Sequence, residues 1–256
     1  MKITEVKVTS VTVPMEAPLR WSLGVETGTT RCLIEVRTDE GISGIGETYG
    51  GPATEHAIAV ARPFVLGIDP LETGVLQHRL SVFNTSYETA VPAVVRAGIE
   101  MACLDAAGKA LGLPVYKLLG GGTRERIEVS AYLFYRYRDP TDRIGGELSH
   151  ESMLERTRQL VRDYGFRVIK YKGGVLPPEE EFECLRRLRK EFPDAKLRWD
   201  PNAAWSVETS IRMGQKLLAE GIDLEYLEDP TANLEKINQL KKTIPIPLAT
   251  NMYLIA

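Results

Sequence analysis

The stretch Arg167-Val-Ile-Lys-Tyr-Lys172 decides the fold, because it is a short apolar strand that ends in charged side chains. Further strands of this character are predicted at 128–135, 196–202, 223–229 and 246–251. Amphipathic helices are predicted between them at 151–164, 178–192, 206–220 and 232–242. Alternating strands and helices predict a parallel sheet with right-handed crossovers. The spacing of the strand ends favours a βα barrel over a doubly wound sheet.

The predicted barrel has fewer strands than a closed one. A TIM-type barrel has eight strands and about 250 residues of its own, whereas five strands are predicted before Ala256. We therefore expect a (β/α) barrel domain over residues 126–256 that is truncated at its C-terminus.

The first half of the chain has a different pattern, with a β-meander followed by helices. Strands are predicted at 3–13, 30–37 and 42–47, and helical structure at 53–119. The clearest helix runs from Pro92 to Leu111 and has an apolar face, made of Val95, Ile99, Cys103 and Ala106. The connection from Pro14 to Thr29 is long for a hairpin and is predicted to be either a functional flap or a mobile loop.

Composition and charge exclude several classes of protein. The net charge is −3 and the isoelectric point about 5.8, so no basic field indicates a nucleic-acid or membrane partner. The three cysteines are widely separated and form no CxxC motif, which is typical of reduced thiols. The N-terminus lacks the apolar segment of a signal peptide, and no stretch is long enough to span a membrane. These features predict a soluble cytoplasmic protein.

Lys170 and Lys172 are two residues apart and therefore face the same side of their strand. Active sites of βα barrels lie at the carboxyl ends of the strands, so both ammonium groups would enter the site. Their mutual repulsion and partial desolvation are expected to lower one of the two pKa values, toward a neutral amine that can act as a base. Such a pair also occurs on solvated surfaces, so the lysines alone do not decide the function.

Three successive strand ends carry oxygen ligands. Asp200, Glu228 and Asn251 follow the predicted strands in turn, and two of them are carboxylates. Each strand end taken separately is typical of an ordinary turn, but their recurrence indicates a site. Hard oxygen donors favour Mg²⁺, and no His or Cys lies nearby to indicate zinc or iron.

A divalent cation beside a lysine suits one kind of chemistry. Removing the proton next to a carboxylate leaves an enediolate, whose charge a metal ion stabilises while a positioned lysine takes the proton. Asn202, two residues after Asp200 and on the same face, is placed to donate a hydrogen bond to the substrate.

These residues resemble the sites of the enolase superfamily, of the mandelate racemase/muconate lactonizing enzyme type, which use a Lys or His base with Mg²⁺. The similar stretches lie at 170–175, 200–205, 227–230 and 247–252, together with 97–108 and 118–121, which resemble the helix of the capping domain and its exit. The likeness is to glucarate dehydratases in particular, because these have Asn as the third metal ligand where most of the superfamily has Glu.

The resemblance implies a role for each matching residue. Asp200, Glu228 and Asn251 would bind Mg²⁺, Lys172 would be the base, and Lys170 would neutralise the substrate carboxylate and tune Lys172. The same resemblance gives substrate contacts to Asn202, Tyr132 and Phe134. It implies an α+β capping domain over residues 1–125, whose 14–29 segment would be the flap that sets specificity.

The function implied is that of a carbon–oxygen lyase, an acid-sugar dehydratase that acts on an aldarate or aldonate. We expect a small carboxylate sugar as the substrate and a homo-oligomer. The family's second base, a His–Asp dyad, is expected beyond Ala256, and the flap region around Ser22 lacks a counterpart of the family's flap histidine. Racemisation, epimerisation or cycloisomerisation by the same superfamily stays open, as does a catalytically inactive fragment or binding protein.

Overall fold

The computed structural model describes residues 1–82, 91–141 and 144–253, apart from the side chain of Val82. The chain divides into two compact units. The first comprises Met1–Pro14 and Gly28–Arg126, and the second comprises Met15–Thr27 and Ile127–Ala256.

The first unit combines antiparallel strands with helices. Its strands belong to β1 (Ile3–Trp21), β2 (Gly24–Thr38) and β3 (Ser43–Tyr49), of which β1 and β2 extend into the second unit. Its helices are α1 (Pro52–Val65), α2 (Thr73–Val82), α3 (Ala93–Leu111) and α4 (Val115–Leu118). The predicted meander is therefore confirmed, and so is the helical region where the structure describes it; residues 83–90 of the predicted region lie outside the described residues.

Helix α3 packs closely on strand β3. All four residues of its predicted apolar face are buried, which confirms that face. Gly44 makes the close approach possible, because a Cβ added there would lie 2.0 Å from the carbonyl oxygen of Ala102. The Cys32 and Cys103 thiols are free and buried in this unit, so they act as small packing groups.

The segment at 14–29, predicted to be either a functional flap or a mobile loop, is regular structure and not a loop, whereas a role as a flap stays a prediction. Strand β1 continues to Trp21, a two-residue turn follows at Ser22 and Leu23, and β2 begins at Gly24. The extension of β1 pairs with the short strand β5 (Tyr135–Arg136), with Leu19 opposite Arg136. The prediction of a loop was wrong because this pairing partner lies more than 100 residues away in the sequence.

The second unit is built on a five-stranded parallel sheet. Its strands are β4 (Ser130–Leu133), β6 (Val168–Lys172), β7 (Lys196–Asp200), β8 (Tyr226–Glu228) and β9 (Leu248–Ala249), in the order β4-β6-β7-β8-β9. Its helices are α5 (His150–Tyr164), α6 (Pro178–Glu191), α7 (Val207–Ala219) and α8 (Leu234–Lys241). This confirms the predicted alternation of strands and helices.

Strands β7 and β8 end earlier than predicted, at Asp200 and Glu228, and the reason is local. Asn202 and Asp229 have positive φ values, 54° and 37°, so the backbone leaves the sheet just after β7 and β8. Polar side chains therefore lie at the strand ends and in the loops directly after them. Within the described residues, no helix is long and apolar enough to cross a membrane.

Candidate active site

The register of the parallel sheet brings the predicted residues to one edge. Lys172, the last residue of β6, pairs with Asp200, the last residue of β7. Glu228, the last residue of β8, pairs with Ala249 in β9. Because the carboxyl ends of parallel strands meet at the same edge, these side chains converge.

Lys172 is buried and held by two oxygen acceptors. Its Nζ donates to Asp200 Oδ2 at 2.7 Å and to Asn202 Oδ1 at 2.6 Å. The backbone N–H of Asn202 donates to the other oxygen of Asp200, at 3.0 Å. The ammonium or amine of Lys172 is thus fixed in one position, with 6% of the residue exposed.

Lys170 bridges the two carboxylates. Its Nζ lies 2.5 Å from Glu228 Oε2 and 3.2 Å from Asp200 Oδ2. Burial lowers the pKa of Lys170, but the hydrogen bond to Glu228 and the charge of Asp200 outweigh it, so the pKa lies above its ordinary value. The prediction of mutual repulsion did not include these carboxylates and did not say which of the two lysines has the lowered pKa, so it stays a prediction.

Asn251 reaches the same cluster from the loop after β9. Its Nδ2 donates to Glu228 Oε1 at 2.8 Å. Buried Asp229 holds this loop, accepting from the Thr250 hydroxyl at 2.5 Å and from the backbone N–H groups of Asn251 and Met252 at 3.1 and 3.4 Å. Asp229 was not among the predicted site residues, although its position between Glu228 and Pro230 marks a tight strand end.

Tyr132 lies beside the cluster, and Phe134 lies behind Tyr132. The Tyr132 hydroxyl donates to Asp200 Oδ2 at 3.3 Å, and its ring lies 4.9 Å below the Lys170 ammonium. Burial and the charges of Asp200 and Glu228 raise the pKa of Tyr132, so it stays a donor. Phe134 packs on the Tyr132 ring, and both line a cavity of about 270 Å³ beside the β1 extension.

The tip of the β1–β2 hairpin belongs to the second unit and contacts the site. Asn202 Nδ2 donates to Ser22 Oγ at 2.7 Å, which orients the amide oxygen toward Lys172. The Trp21 ring lies 6.0 Å from Lys172 Nζ. The sequence indicated a flap or a mobile loop at 14–29 but no contact of a particular residue; Trp21 next to Ser22 at its tip was the available signal.

The donor set fits a hard divalent cation. Asp200 and Glu228 are both buried, and one cation, the Lys170 ammonium, already contacts oxygens of both. The side-chain amide of Asn251, whose Nδ2 contacts Glu228, carries a third oxygen. Across the described ranges no three His, Cys, Asp or Glu side chains lie close enough together to hold a metal ion. The candidate ligands here are two carboxylates and one amide, and such oxygen ligands suit Mg²⁺.

Two family models match most of the chain. Residues 3–120 match the N-terminal domain of mandelate racemase/muconate lactonizing enzymes, and residues 152–256 match the enolase C-terminal domain-like family.

Individual relatives agree with these models. The chain is 37% identical to a probable glucarate dehydratase from Streptomyces coelicolor, over 98% of this chain and 63% of that protein. It is 41% identical, with a TM-score of 0.88, to the crystal structure of an enolase from Thermobispora bispora complexed with magnesium and formate, over 98% of this chain and 63% of that one. An enolase from Mycobacterium smegmatis complexed with tartrate is 37% identical, with a TM-score of 0.89, over 99% and 62%.

The chain thus spans about 63% of the length of the relatives it matches. Both halves of the superfamily fold, a capping domain and a barrel domain, are represented in it. The parallel sheet, the two matched domains and the individual relatives agree: the chain belongs to the mandelate racemase/muconate lactonizing enzyme family of the enolase superfamily.

Proposed function

We propose that this protein is a Mg²⁺-dependent dehydratase of an acid sugar, an aldarate or aldonate, and therefore a carbon–oxygen lyase. The observation that carries the proposal is the position of Lys172. Its Nζ is buried and held by Asp200 and Asn202, beside the second carboxylate, Glu228. A fixed amine next to a cluster suited to a cation is what abstraction of an α-proton requires.

The two contacts of Lys172 fix the position of its Nζ atom. Asp200 and Asn202 accept two of its N–H groups. The remaining tetrahedral position of the nitrogen faces neither acceptor and is the one that would take the proton. The Nζ atom takes the proton from the carbon next to the substrate carboxylate.

Asp200, Glu228 and Asn251 would hold Mg²⁺, which supplies positive charge to the substrate carboxylate while its α-carbon loses a proton. Lys170 keeps its proton, because both carboxylates stabilise the ammonium. It provides a fixed positive charge at the same edge of the sheet.

Elimination of the β-hydroxyl follows the removal of the α-proton. The electron pair of the broken α-C–H bond forms a double bond to the β-carbon, and the β-C–O bond breaks. The departing hydroxyl takes up one proton, equivalent to the one that Lys172 removed, and leaves as water. The resulting enol takes a proton at the β-carbon, releases the proton of its own hydroxyl and becomes a 2-keto-3-deoxy acid.

The relatives support the substrate class. A probable glucarate dehydratase is among them, and the tartrate bound to the related enolase is a hydroxylated diacid. Racemisation or cycloisomerisation would begin with the same proton transfer, whereas an inactive binding protein would transfer no proton. No contact among the described residues of the site favours one of these alternatives. A homo-oligomeric state and a cytoplasmic location stay predictions.

The test is a panel of aldarates and aldonates, with formation of a 2-keto-3-deoxy product as the readout. We expect product with Mg²⁺ and none after the metal is chelated.

Glu228→Gln should lower kcat/KM by about 10²-fold or more and reduce the thermal stabilisation that Mg²⁺ gives. Glu235→Gln, an exposed position on α8, is the matched control and should match the wild type. No keto-deoxy product from any acid sugar would refute the dehydratase proposal.

A further inference from the structure

The loop directly after Lys172, residues 173–176, has all four of its backbone N–H groups bonded. The Gly173 N–H donates to the carbonyl oxygen of Asp200 at 2.8 Å. The other three donate to one carboxylate, that of Glu181. The proposed function gives neither this loop nor Glu181 a role.

Glu181 is a fully buried carboxylate in the first turns of α6. Its Oε2 accepts from the Gly174 N–H at 2.9 Å, and its Oε1 accepts from the N–H groups of Val175 and Leu176 at 2.8 and 2.9 Å. Burying a carboxylate is costly unless several donors compensate it. Three backbone donors on one short loop offset part of that cost, and the positive end of the α6 dipole adds to their effect, although burial still raises the pKa of Glu181.

The loop has little freedom to sit elsewhere. A Cβ added at Gly173 would lie 2.4 Å from Glu181 Oε2. Gly174 has φ +76°, and a Cβ there would lie 2.2 Å from the carbonyl oxygen of Pro201. The backbone is therefore packed between the Glu181 carboxylate and the loop that follows Asp200.

The same loop also contacts the hairpin tip. The carbonyl oxygen of Val175 accepts from Arg20 Nη2 at 3.4 Å. Arg20 is next to Trp21 and Ser22, which approach Lys172 and Asn202. A shift of the loop would thus move both its Lys172 end and a contact of the hairpin.

We propose that Glu181 is a positioning residue of the active site, whose carboxylate fixes the 173–176 loop and through it Lys172 and the hairpin tip. The effect on turnover rests on the proposed function. The effect on the loop and on the hairpin stands without it.

Glutamine cannot replace Glu181, although it has the same shape. All three donors are backbone N–H groups, and none can reverse into an acceptor. An amide offers one acceptor oxygen and one NH₂ group. The NH₂ group of the glutamine would therefore point either at the N–H of Gly174 or at the N–H groups of Val175 and Leu176. Those N–H groups would then have no acceptor and would lose their hydrogen bonds. Aspartate keeps two acceptor oxygens on a shorter side chain.

The test is hydrogen exchange by mass spectrometry on the full chain. In the wild type, the amides of Gly174, Val175 and Leu176 should exchange slowly for a loop. In Glu181→Gln, exchange in the 173–176 loop and at the 20–24 hairpin tip should rise about tenfold or more, while strand β7 stays protected. Glu180→Gln, an exposed neighbour on the same helix, should match the wild type.

Kinetics form the second arm. Displacement of the base should lower kcat of Glu181→Gln by about 10–100-fold with a smaller change in KM, and Glu181→Asp should recover part of it. Exchange in Glu181→Gln that matches the wild type, at the loop or at the hairpin tip, would overturn the proposal. Fast exchange of the loop amides in the wild type would overturn it as well, and that measurement does not depend on whether a variant folds. Altered exchange with unchanged kcat would overturn the positioning role. An inactive wild type would refute the dehydratase while the exchange arm still decides on Glu181.

Discussion

Asp200 joins most of the groups in the site. It accepts hydrogen bonds from Lys172, from the Tyr132 hydroxyl and from the backbone of Asn202, and it pairs with Lys170. A carboxylate this buried is stable only because donors surround it. The proposed base and the proposed metal ligand are therefore parts of one network.

Asp229 provides a test at the scale of one residue, because its substitutions differ in a defined way. Asn can keep its oxygen toward the two N–H groups and turn its NH₂ toward Thr250, whose hydroxyl can accept as well as donate. We therefore expect Asp229→Asn to lower the free energy of unfolding by less than about 1 kcal/mol and Asp229→Ala by about 1–3 kcal/mol.

Urea denaturation of the two variants measures both values. Equal losses in Asp229→Asn and Asp229→Ala would contradict the hydrogen-bond account. Glu181 differs from Asp229, because its hydrogen-bond donors are backbone N–H groups and none of them can become an acceptor. An amide substitution is therefore expected to be tolerated at Asp229 and not at Glu181.

The chemical type of a side chain and the two-residue period of a strand were enough to predict several of the residues that lie close together in the site. Lys170, Lys172, Asp200 and Glu228 end successive strands, so their convergence follows from a parallel sheet. Asp229 and Glu181 could not be identified in the same way. Their roles depend on the path of a loop backbone, which no pattern of side chains in the sequence records.

Among the elements, the β1–β2 hairpin was the least predictable. Two prolines in its first strand favour a loop interpretation, because proline lacks the N–H that a strand requires. In the structure Pro18 contributes its carbonyl oxygen, which accepts from the Tyr137 N–H at 2.8 Å. The pairing strand lies far along the chain, so local sequence could not indicate it.

Helix α6 gives a prediction about pH. Glu183 accepts hydrogen bonds from Arg186 and Arg187, which lower the pKa of its carboxyl to about 2. The folded carboxyl is thus harder to protonate than the unfolded one, whose pKa is near 4.5. The stabilisation is present above about pH 4.5 and is lost as the pH falls toward 2.

We expect this loss to be about 0.5 kcal/mol, since the pairs are solvent-exposed, and to be missing in Glu183→Gln. Urea denaturation of both proteins at pH 5 and pH 3 measures the difference. Added salt should shrink it. An identical pH dependence in the two proteins would contradict the assignment to Glu183.

At the scale of the whole molecule, the order of elements follows from hydrophobic period. Period-two strands and period-3.6 helices alternate through the second unit, and this pattern predicts a parallel sheet. The predicted domain boundary between residues 125 and 126 stays a prediction. The chain spans about 63% of its relatives, so what it catalyses as a whole protein is a proposal.

The central claim is that Lys172 removes the α-proton of an acid sugar. Proton NMR of an aldarate incubated with the protein and Mg²⁺ in D₂O tests it most directly. We expect the α-proton signal to disappear with the wild type, through exchange or elimination, and to disappear about 10²–10⁴-fold more slowly with Lys172→Met. Lys241→Met, at an exposed position on α8, should match the wild type. An α-proton that the wild type leaves in place, or that Lys172→Met removes at the wild-type rate, would contradict the claim.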